Sequence, residues 1–300
     1  MGLHHRNTRA DHRRWRTRGI KTMHQKLLST FSQHGTIILV GWGTGWHIQP
    51  ILNLAEELRE KKLLWIGGID SSEEKSAKEN DIEFRSIRTL KLSTTKSPKI
   101  LLYPFFLLKW ILAARKILVS VIARDEAIQV HDKQSAGSLH ASRWQDQQAN
   151  NSGNQRICVF SKGWPGSVAV GIAAWTLGIP LYIHESDTIP WRSNQILGKF
   201  ATKIFLGFES ARKYFDEKKC EIIWQILSPI FSNKSTHGSI LWKTDKKHIL
   251  VICGSQWAKS IFEAIITQFE KSEEYEWIIA LGKLNTDMKK SFEKMQDVQA

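Results

Sequence analysis

Short apolar runs alternate with segments of helical periodicity along most of this chain. The first run, TIILVG at 36–41, precedes a glycine-rich stretch and helical spacing at 51–62, and LLWIGG at 63–68 follows. A strand, a loop, a helix and a second strand in this order form a βαβ unit, whose strands are parallel. We therefore expect an α/β fold built on a parallel sheet.

The same alternation continues and then starts again. Further apolar runs read as strands at 156–163, 179–186 and 202–208, with helical segments between them. A second strand–loop–helix unit occupies 248–271, and one more strand is predicted at 274–283. Because so few elements cannot close a doubly wound sheet, we expect the second domain to be incomplete.

The domain boundaries follow from changes in composition. Residues 1–34 are basic and lack a sustained period, so we expect a flexible tail, followed by an N-terminal Rossmann-like domain at 35–231. A polar stretch at about 125–155 predicts a flexible insertion in that domain. Residues 232–247 are interpreted as a linker, and 248–300 as the start of the second domain.

The charge balance favours an anionic partner. The 300 residues carry 43 Lys and Arg against 29 Asp and Glu, a formal net charge of +14. Nucleic acid, an acidic membrane surface and a phosphorylated substrate all remain open on charge alone. Nucleic acid is disfavoured, because the aromatic residues are not interleaved with Lys and Arg on strands as stacking platforms would require.

Three cysteines and one apolar segment bear on the location of the protein. Cys158, Cys220 and Cys253 lie far apart and form no C-x-x-C pair, which favours reduced thiols in a cytosolic protein without a disulfide framework or zinc site. The most apolar stretch, Ile100 to Ala114, contains Lys109 and is shorter than the roughly 20 residues that a membrane-spanning helix needs. The segment 98–124 that contains it reads either as a buried crossover helix or as a membrane-surface helix fringed by cations.

Two loops between a strand and a helix could hold phosphate groups. GWGTGWH at 41–47 and CGSQWA at 253–258 are rich in small residues. Such a turn leaves backbone N–H groups uncovered at the positive end of a helix dipole. Neither loop fits a P-loop, so a nucleoside triphosphatase is disfavoured. Each loop could also be a packing turn, and only their combination favours a diphosphate ligand.

The order of several motifs resembles a known family. G-x-G-T-G-x-H-x-x-P (41–50), A-A-W-x-L-G-I-P-x-x-x-H-E-S-D (173–187), S-N-x-x-L-x-K-F-A (193–201) and G-S-Q-x-A (254–258) are similar to MurG, the transferases that convert lipid I into lipid II in peptidoglycan synthesis. The resemblance implies a GT-B fold of two Rossmann-like domains. It also implies transfer of GlcNAc from UDP-GlcNAc to a polyprenyl-diphosphate-linked acceptor, with inversion and without a metal or other cofactor.

The resemblance also assigns candidate site residues. His47 matches the family's proposed general base, and a histidine with a pKa near neutrality suits deprotonation of the acceptor C4 hydroxyl. The substrate-binding positions implied are Thr44, Gly45, Trp46, Asp187, Asn194, Ser255 and Gln256. The supporting positions implied are Gly43, His184, Glu185 and Gly254. Capping, or a hydrogen-bonded pair at a strand end, would also explain His47, His184 and Glu185.

Six tryptophans stand where the resembled family has glycine. They are Trp42, Trp46, Trp164, Trp191, Trp224 and Trp257. Glycine serves there because the backbone must reach positive φ or approach a phosphate closely, which a tryptophan does at high cost. We interpret the six as UGA codons that the source organism reads as glycine, since some bacterial lineages reassign UGA in this way.

Other departures leave alternatives open. Ser228 stands where the family has an arginine that meets the donor phosphate, and the chain ends before the segment that grips uracil and GlcNAc. The expected function is a peptidoglycan GlcNAc transferase, peripheral on the cytoplasmic face of the cell membrane. The alternatives are another GT-B enzyme with a lipid or sterol acceptor, and an inactive truncated paralogue that acts as a binding protein.

Overall fold

The chain divides into two units, Met1–Lys234 and Ser235–Ala300. A computed structural model describes residues 25–41, 43, 45–88, 103–135, 156–228, 245–253, 258–268, 274–281, 283–293 and 298–299. The boundary between the units falls within the segment that was interpreted as a linker, of which residues 232–244 lie outside the described part.

The first unit is built on a seven-stranded parallel sheet. Its strands are β1 (Thr36–Val40), β2 (Lys62–Gly67), β3 (Glu83–Ser86), β4 (Ile157–Ser161), β5 (Leu181–Glu185), β6 (Lys203–Leu206) and β7 (Cys220–Ile222). Their spatial order is β3-β2-β1-β4-β5-β6-β7, and every neighbouring pair is parallel. The order reverses direction between β1 and β4, as in a doubly wound fold. The predicted α/β class is confirmed.

Helices cover both faces of this sheet. They are α1 (25–32), α2 (Gly45–Glu57), α3 (Ser72–Glu79), α4 (Tyr103–Ser135), α5 (Pro165–Thr176) and α6 (Arg192–Phe200). Short 3-10 turns follow β6 at Glu209–Tyr214 and Glu217–Lys219.

The central strand β1 shows why its sequence is an unbroken apolar run. Ile37 and Leu39 point into the hydrophobic cluster that also contains Leu27 of α1, whereas Ile38 and Val40 point into the cluster on the α4 side. Successive side chains of a strand face opposite sides of a sheet, and here both sides are covered. A continuous apolar run is therefore what this position requires.

The predicted flexible tail at 1–34 is wrong for its last residues. Residues 25–32 form α1, and Leu27 and Phe31 are fully buried. The Phe31 ring makes edge-on contacts with Phe160 at 5.7 Å and with Tyr182 at 5.5 Å between centroids. Leu27 and Phe31, four residues apart, lie on the buried side of this helix of about two turns. A segment this short shows too little periodicity to be recognised in the sequence.

The predicted flexible insertion at 125–155 is wrong for its first residues. The helix α4 continues to Ser135, and residues 136–155 lie outside the described part. Residues 125–135 are polar but rich in helix-favouring Glu, Ala, Gln and Lys. Extending a helix that already exists costs little compared with starting one, so polarity alone does not end it.

The second unit has three described strands in the order β10-β9-β8. They are β8 (Lys247–Ile252), β9 (Tyr275–Ala280) and β10 (Val298–Gln299), and the pairs are parallel. The described helices are α7 (Ala258–Gln268), a 3-10 turn (Lys283–Met288) and α8 (Lys289–Glu293). Phe262 and Phe292 are fully buried in its core, with ring centroids 5.9 Å apart.

The burial of α1 gives a first prediction. Phe31→Ala should lower the free energy of unfolding of the first unit by about 3–5 kcal/mol, because it removes a buried aromatic ring and leaves a cavity. Chemical denaturation of the whole chain measures this change. The control Ser29→Ala alters an exposed side chain of the same helix and should have little effect. Equal stability of both variants would mean that α1 is not part of the folded core.

Candidate active site

The candidate site lies at the carboxyl ends of β1, β4 and β5. A pocket of about 600 Å³ opens there. Its lining is His47, Lys162, Trp164, Pro165, Glu185, Ser186, Asp187, Ile189, Pro190, Trp191, Arg192, Ser193 and Asn194. Since β1 and β4 are the strands at which the sheet order reverses, the pocket occupies the crevice where open α/β sheets bind ligands.

His47 reaches the pocket because α2 begins earlier than its apolar spacing indicated. The helix starts at Gly45, which places His47 in the first turn. Its ring centroid is 5.6 Å from that of Trp164, and its Nδ1 atom is buried without a hydrogen-bond partner in the described part of the chain.

The protonation state of His47 follows from its surroundings. Burial and the nearby charge of Lys162 lower the pKa of His47 below its usual value. The imidazole is therefore neutral at pH 7, and a neutral imidazole can accept a proton.

The Gly43 backbone is tied to α3 and is not uncovered. Its N–H donates to the buried carboxylate of Glu73, and its carbonyl accepts from Ser72 Oγ at 3.1 Å. Gly43 has a φ of +107°, which only glycine adopts readily. The expectation of free amides in this loop is therefore wrong at Gly43, because a carboxylate of the protein itself occupies that donor.

A chain of buried polar groups runs beneath the pocket. Lys162 Nζ lies 2.7 Å from His184 Nδ1, and His184 Nε2 lies 2.9 Å from the carbonyl oxygen of Trp224. A carbonyl only accepts, so Nε2 carries the hydrogen and Nδ1 accepts from the lysine. Burial, followed by the charge of Lys162, lowers the pKa of His184 well below its usual value. His184 therefore links Lys162 to the backbone at Trp224 beneath the pocket.

Glu185, Asp187 and Asn194 form a connected group at the pocket wall. Glu185 accepts from the Asp187 N–H at 2.8 Å and from Asn194 Nδ2 at 2.9 Å. Burial raises the pKa of Glu185, and the hydrogen bond from Asn194 opposes this effect. The Oδ1 atom of Asn194 is buried and has no hydrogen-bond partner within the described residues.

The structure brings together five of the expected residues, His47, His184, Glu185, Asp187 and Asn194. Gly45 is the first residue of α2, and Trp46 follows it in the helix, with its side chain outside the described part. Thr44, Gly254, Ser255 and Gln256 also lie outside the described residues. Their assignments remain predictions.

Lys162 was not predicted from the sequence. It is 2% exposed, although lysine is almost never buried without a partner. A signal was present, because Lys162 directly follows the apolar strand ICVFS and open α/β sheets bind ligands at the carboxyl ends of their strands.

Backbone angles bear on the proposed glycine positions. Trp164 has φ +90° and ψ 152°, a region that is essentially limited to glycine, and Trp224 has φ +62°. By contrast, Trp191 has φ −64°, which any residue adopts, and Trp46 is helical. Trp42 and Trp257 lie outside the described residues. The backbone therefore favours glycine at 164 and 224 and gives no reason for it at 46 or 191.

Replacing Trp164 tests whether its positive φ strains the backbone. Trp164→Gly should raise the free energy of unfolding, because a non-glycine residue in this region costs about 1–3 kcal/mol and glycine is also a better helix N-cap. It should also open the pocket beside His47. Chemical denaturation measures the change.

The matched control should change the free energy of unfolding in the opposite direction. Trp175→Gly replaces a half-exposed tryptophan in the last turn of α5 and should lower stability by about 1 kcal/mol through helix propensity. A loss of stability in Trp164→Gly as large as that of a buried aromatic would show that the indole, rather than the turn, is required.

Comparison with known proteins agrees with this architecture. The N-terminal domain of glycosyltransferase family 28 matches residues 37–128 and 152–206. A crystal structure of MurG from Acinetobacter baumannii superposes with a TM-score of 0.56 at 18% identity, covering 88% of this chain and 67% of that one. This likeness shows the fold and confirms the predicted GT-B class.

Curated relatives share one name, UDP-N-acetylglucosamine–N-acetylmuramyl-(pentapeptide) pyrophosphoryl-undecaprenol N-acetylglucosamine transferase. The protein from Sulfurihydrogenibium sp. is 28% identical over 258 residues, which are 84% of this chain and 63% of the relative. The one from Staphylococcus carnosus is 41% identical over 110 residues, 36% of this chain and 30% of the relative. This chain thus spans slightly less than two thirds of the Sulfurihydrogenibium relative, and its similarity to glycosyltransferase family 28 lies in the N-terminal domain of that family.

Proposed function

We propose that this chain acts in an enzyme that transfers GlcNAc from UDP-GlcNAc to the C4 hydroxyl of MurNAc in lipid I. The observation that carries the proposal is a neutral His47 at the wall of a pocket at the switch point of the sheet. The family and the printed names of the relatives support the same substrates.

The reaction requires one base that takes a proton from the sugar that receives GlcNAc. His47 takes the proton of the C4 hydroxyl while that oxygen attacks C1 of GlcNAc, and the bond from C1 to the UDP oxygen breaks. The attack comes from the face opposite UDP, so the configuration at C1 inverts. Because burial favours the neutral imidazole, His47 is ready to accept the proton at pH 7.

The pocket wall offers polar atoms to a sugar. The Asn194 side chain lines the pocket and is held there by its hydrogen bond to Glu185. Asp187, whose Oδ2 accepts from Trp191 Nε1 at 3.1 Å, lies at the same wall. We propose that Thr44, Gly45 and Trp46 face the acceptor diphosphate and that Gly254, Ser255 and Gln256 face UDP.

The transfer assay tests this function. The protein is incubated with labelled UDP-GlcNAc and lipid I, and the product is separated by chromatography. His47→Ala should lower kcat at least about 100-fold, the usual contribution of a general base. Gln49→Ala, a change on the same helix at an exposed side chain, should leave the rate unchanged.

Two outcomes would contradict the proposal. Absence of transfer by a folded protein would favour the binding-protein alternative. Transfer to a sterol or another lipid, with none to lipid I, would favour a different acceptor on the same fold.

We also propose that α4 binds an anionic membrane surface, where the lipid-linked acceptor resides. Ala114, Leu118 and Val121 bury one side of the helix in the hydrophobic cluster on that face of the sheet, and Trp110 on the same side is also buried. At about 100° per residue, Phe105, Leu108 and Leu112 project from the opposite side, where they are 67%, 54% and 58% exposed.

Cations flank this exposed apolar stripe. Lys109 and Lys116 are exposed and lie on the same side of α4. Apolar side chains between lysines suit insertion at the level of anionic headgroups. None of the described helices is long and apolar enough to cross a membrane.

Sedimentation with vesicles tests this surface. The double variant Leu108→Glu and Leu112→Glu should weaken binding to vesicles that contain phosphatidylglycerol at least about tenfold, because two apolar contacts are lost and two anions are added. Ala113→Glu adds one anion beside the stripe and should have a smaller effect. Undiminished binding of the double variant would assign membrane contact to another part of the chain.

A further inference from the structure

One buried carboxylate near the candidate site has no role in the reaction as proposed. Glu73 is the second residue of α3 and is only 1% exposed. A charged group is costly to remove from water, so its burial calls for a compensating contact. That contact is the N–H of Gly43, which lies 30 residues earlier in the chain, in the loop between β1 and α2.

The first turn of α3 binds both backbone groups of Gly43. The N–H of Gly43 donates to Glu73, and its carbonyl oxygen accepts from Ser72 Oγ at 3.1 Å. A hydrogen bond from a backbone N–H to a carboxylate is stronger than one to a neutral acceptor. Because glycine has more backbone freedom than any other residue, these two bonds select one conformation among many.

Stabilisation of the helix end does not account for Glu73. The helix dipole favours an acidic residue in the first turn, and Glu74 already supplies one there. The Glu74 side chain is 26% exposed and accepts from the Asp70 N–H at 3.2 Å and from Lys78 Nζ at 3.0 Å. Both contacts of Glu74 are local to α3, whereas Glu73 reaches a different element.

Close packing at the end of β2 brings Glu73 to the sheet. A Cβ atom added at Gly67, the last residue of β2, would lie 3.3 Å from Glu73 Cβ and 2.8 Å from the Phe84 ring. A residue larger than glycine at position 67 would displace these neighbours. The glycine therefore allows the first turn of α3 to approach the strand ends and the loop after β1.

Gly43 in turn contacts the side chains that the reaction uses. A Cβ atom added at Gly43 would lie 3.9 Å from His47 Cδ2 and 3.8 Å from the Trp164 indole. Both rings line the pocket, whereas its described lining includes no residue of α3. Gly43 also directly precedes residues 44–46, which are proposed above to face the acceptor diphosphate. A displaced Gly43 would therefore disturb both the base and the loop.

We propose that Glu73 is a positioning residue that holds the turn at Gly43, and through it His47, in the geometry that receives the lipid-linked acceptor. This inference rests on the function proposed above. Glu73 acts through the backbone of Gly43, without contact with the substrate.

Hydrogen exchange tests the contact itself, without substrate. In the whole chain with labelled glycine, Glu73→Ala should speed exchange of the Gly43 amide at least about tenfold, because the N–H loses a charged acceptor. Glu73→Gln keeps an acceptor oxygen at the same place and should stay within about threefold of the parent protein. The matched control Glu74→Ala should leave the Gly43 amide unchanged. Unchanged exchange in a folded Glu73→Ala protein would overturn the inference.

Steady-state kinetics tests the role in the reaction. Glu73→Ala should raise KM for lipid I at least about tenfold and lower kcat, because the loop and His47 are no longer held in place. KM for UDP-GlcNAc should stay near that of the parent protein, since residues 254–256 are proposed to face UDP. Glu73→Gln should restore most of the activity. A purely structural role would lower only the folded fraction, so a reduced apparent kcat with both KM values unchanged would overturn the inference.

Glu73→Asp provides the measurement if Glu73→Ala does not fold. It retains the carboxylate but shortens the side chain by one methylene, which withdraws the acceptor from Gly43. Exchange of the Gly43 amide should be faster than in the parent protein, and KM for lipid I should rise. No change in either quantity would overturn the inference.

The two experiments separate this inference from the proposed function. Faster exchange of the Gly43 amide in Glu73→Ala, with no transfer by the folded parent protein, would reject the proposed function and with it the role of Glu73 in the reaction. Transfer by the parent protein, with unchanged exchange and unchanged KM values in Glu73→Ala, would reject the role of Glu73 alone.

Discussion

The reversal of strand order between β1 and β4 is the constraint on which the rest of this structure depends. The chain leaves β1 toward β2 on one side, and β4 returns to pair with β1 on the other. Connections therefore diverge above the carboxyl ends of these two strands and leave a crevice. Three segments reach the crevice: the first turn of α2, the residues after β4 and the residues after β5.

Buried charge in this crevice is balanced across several elements. Lys162 directly follows β4, Glu185 ends β5 and Glu73 lies in α3. Each would be unstable alone in the interior, and each is held by a partner within hydrogen-bond distance. Burying these charged side chains costs free energy, and the loss of one member would leave its partner without a hydrogen bond.

The tryptophans illustrate how the backbone constrains a sequence independently of side-chain contacts. At position 164 the chain turns from β4 into α5 with angles that favour glycine, and the indole that stands there lies against His47. At position 224 the carbonyl oxygen accepts from His184 while φ is positive. Position 191 has ordinary angles, so the six positions are not equivalent.

The sequence by itself determined the α/β class, five of the seven strands of the first unit and four of the residues that line the pocket, His47, Glu185, Asp187 and Asn194. Apolar runs and motifs such as His184–Asp187 consist of residues that are close in the sequence, so they can be recognised without the structure. Only the tertiary structure decided that Lys162 is buried against His184, that α1 packs on Phe160, and that α4 has one covered and one open side. The reason is that neighbours in a parallel sheet lie far apart in the chain. β1 pairs with β4 across more than a hundred residues, and no local pattern records which side chains meet there.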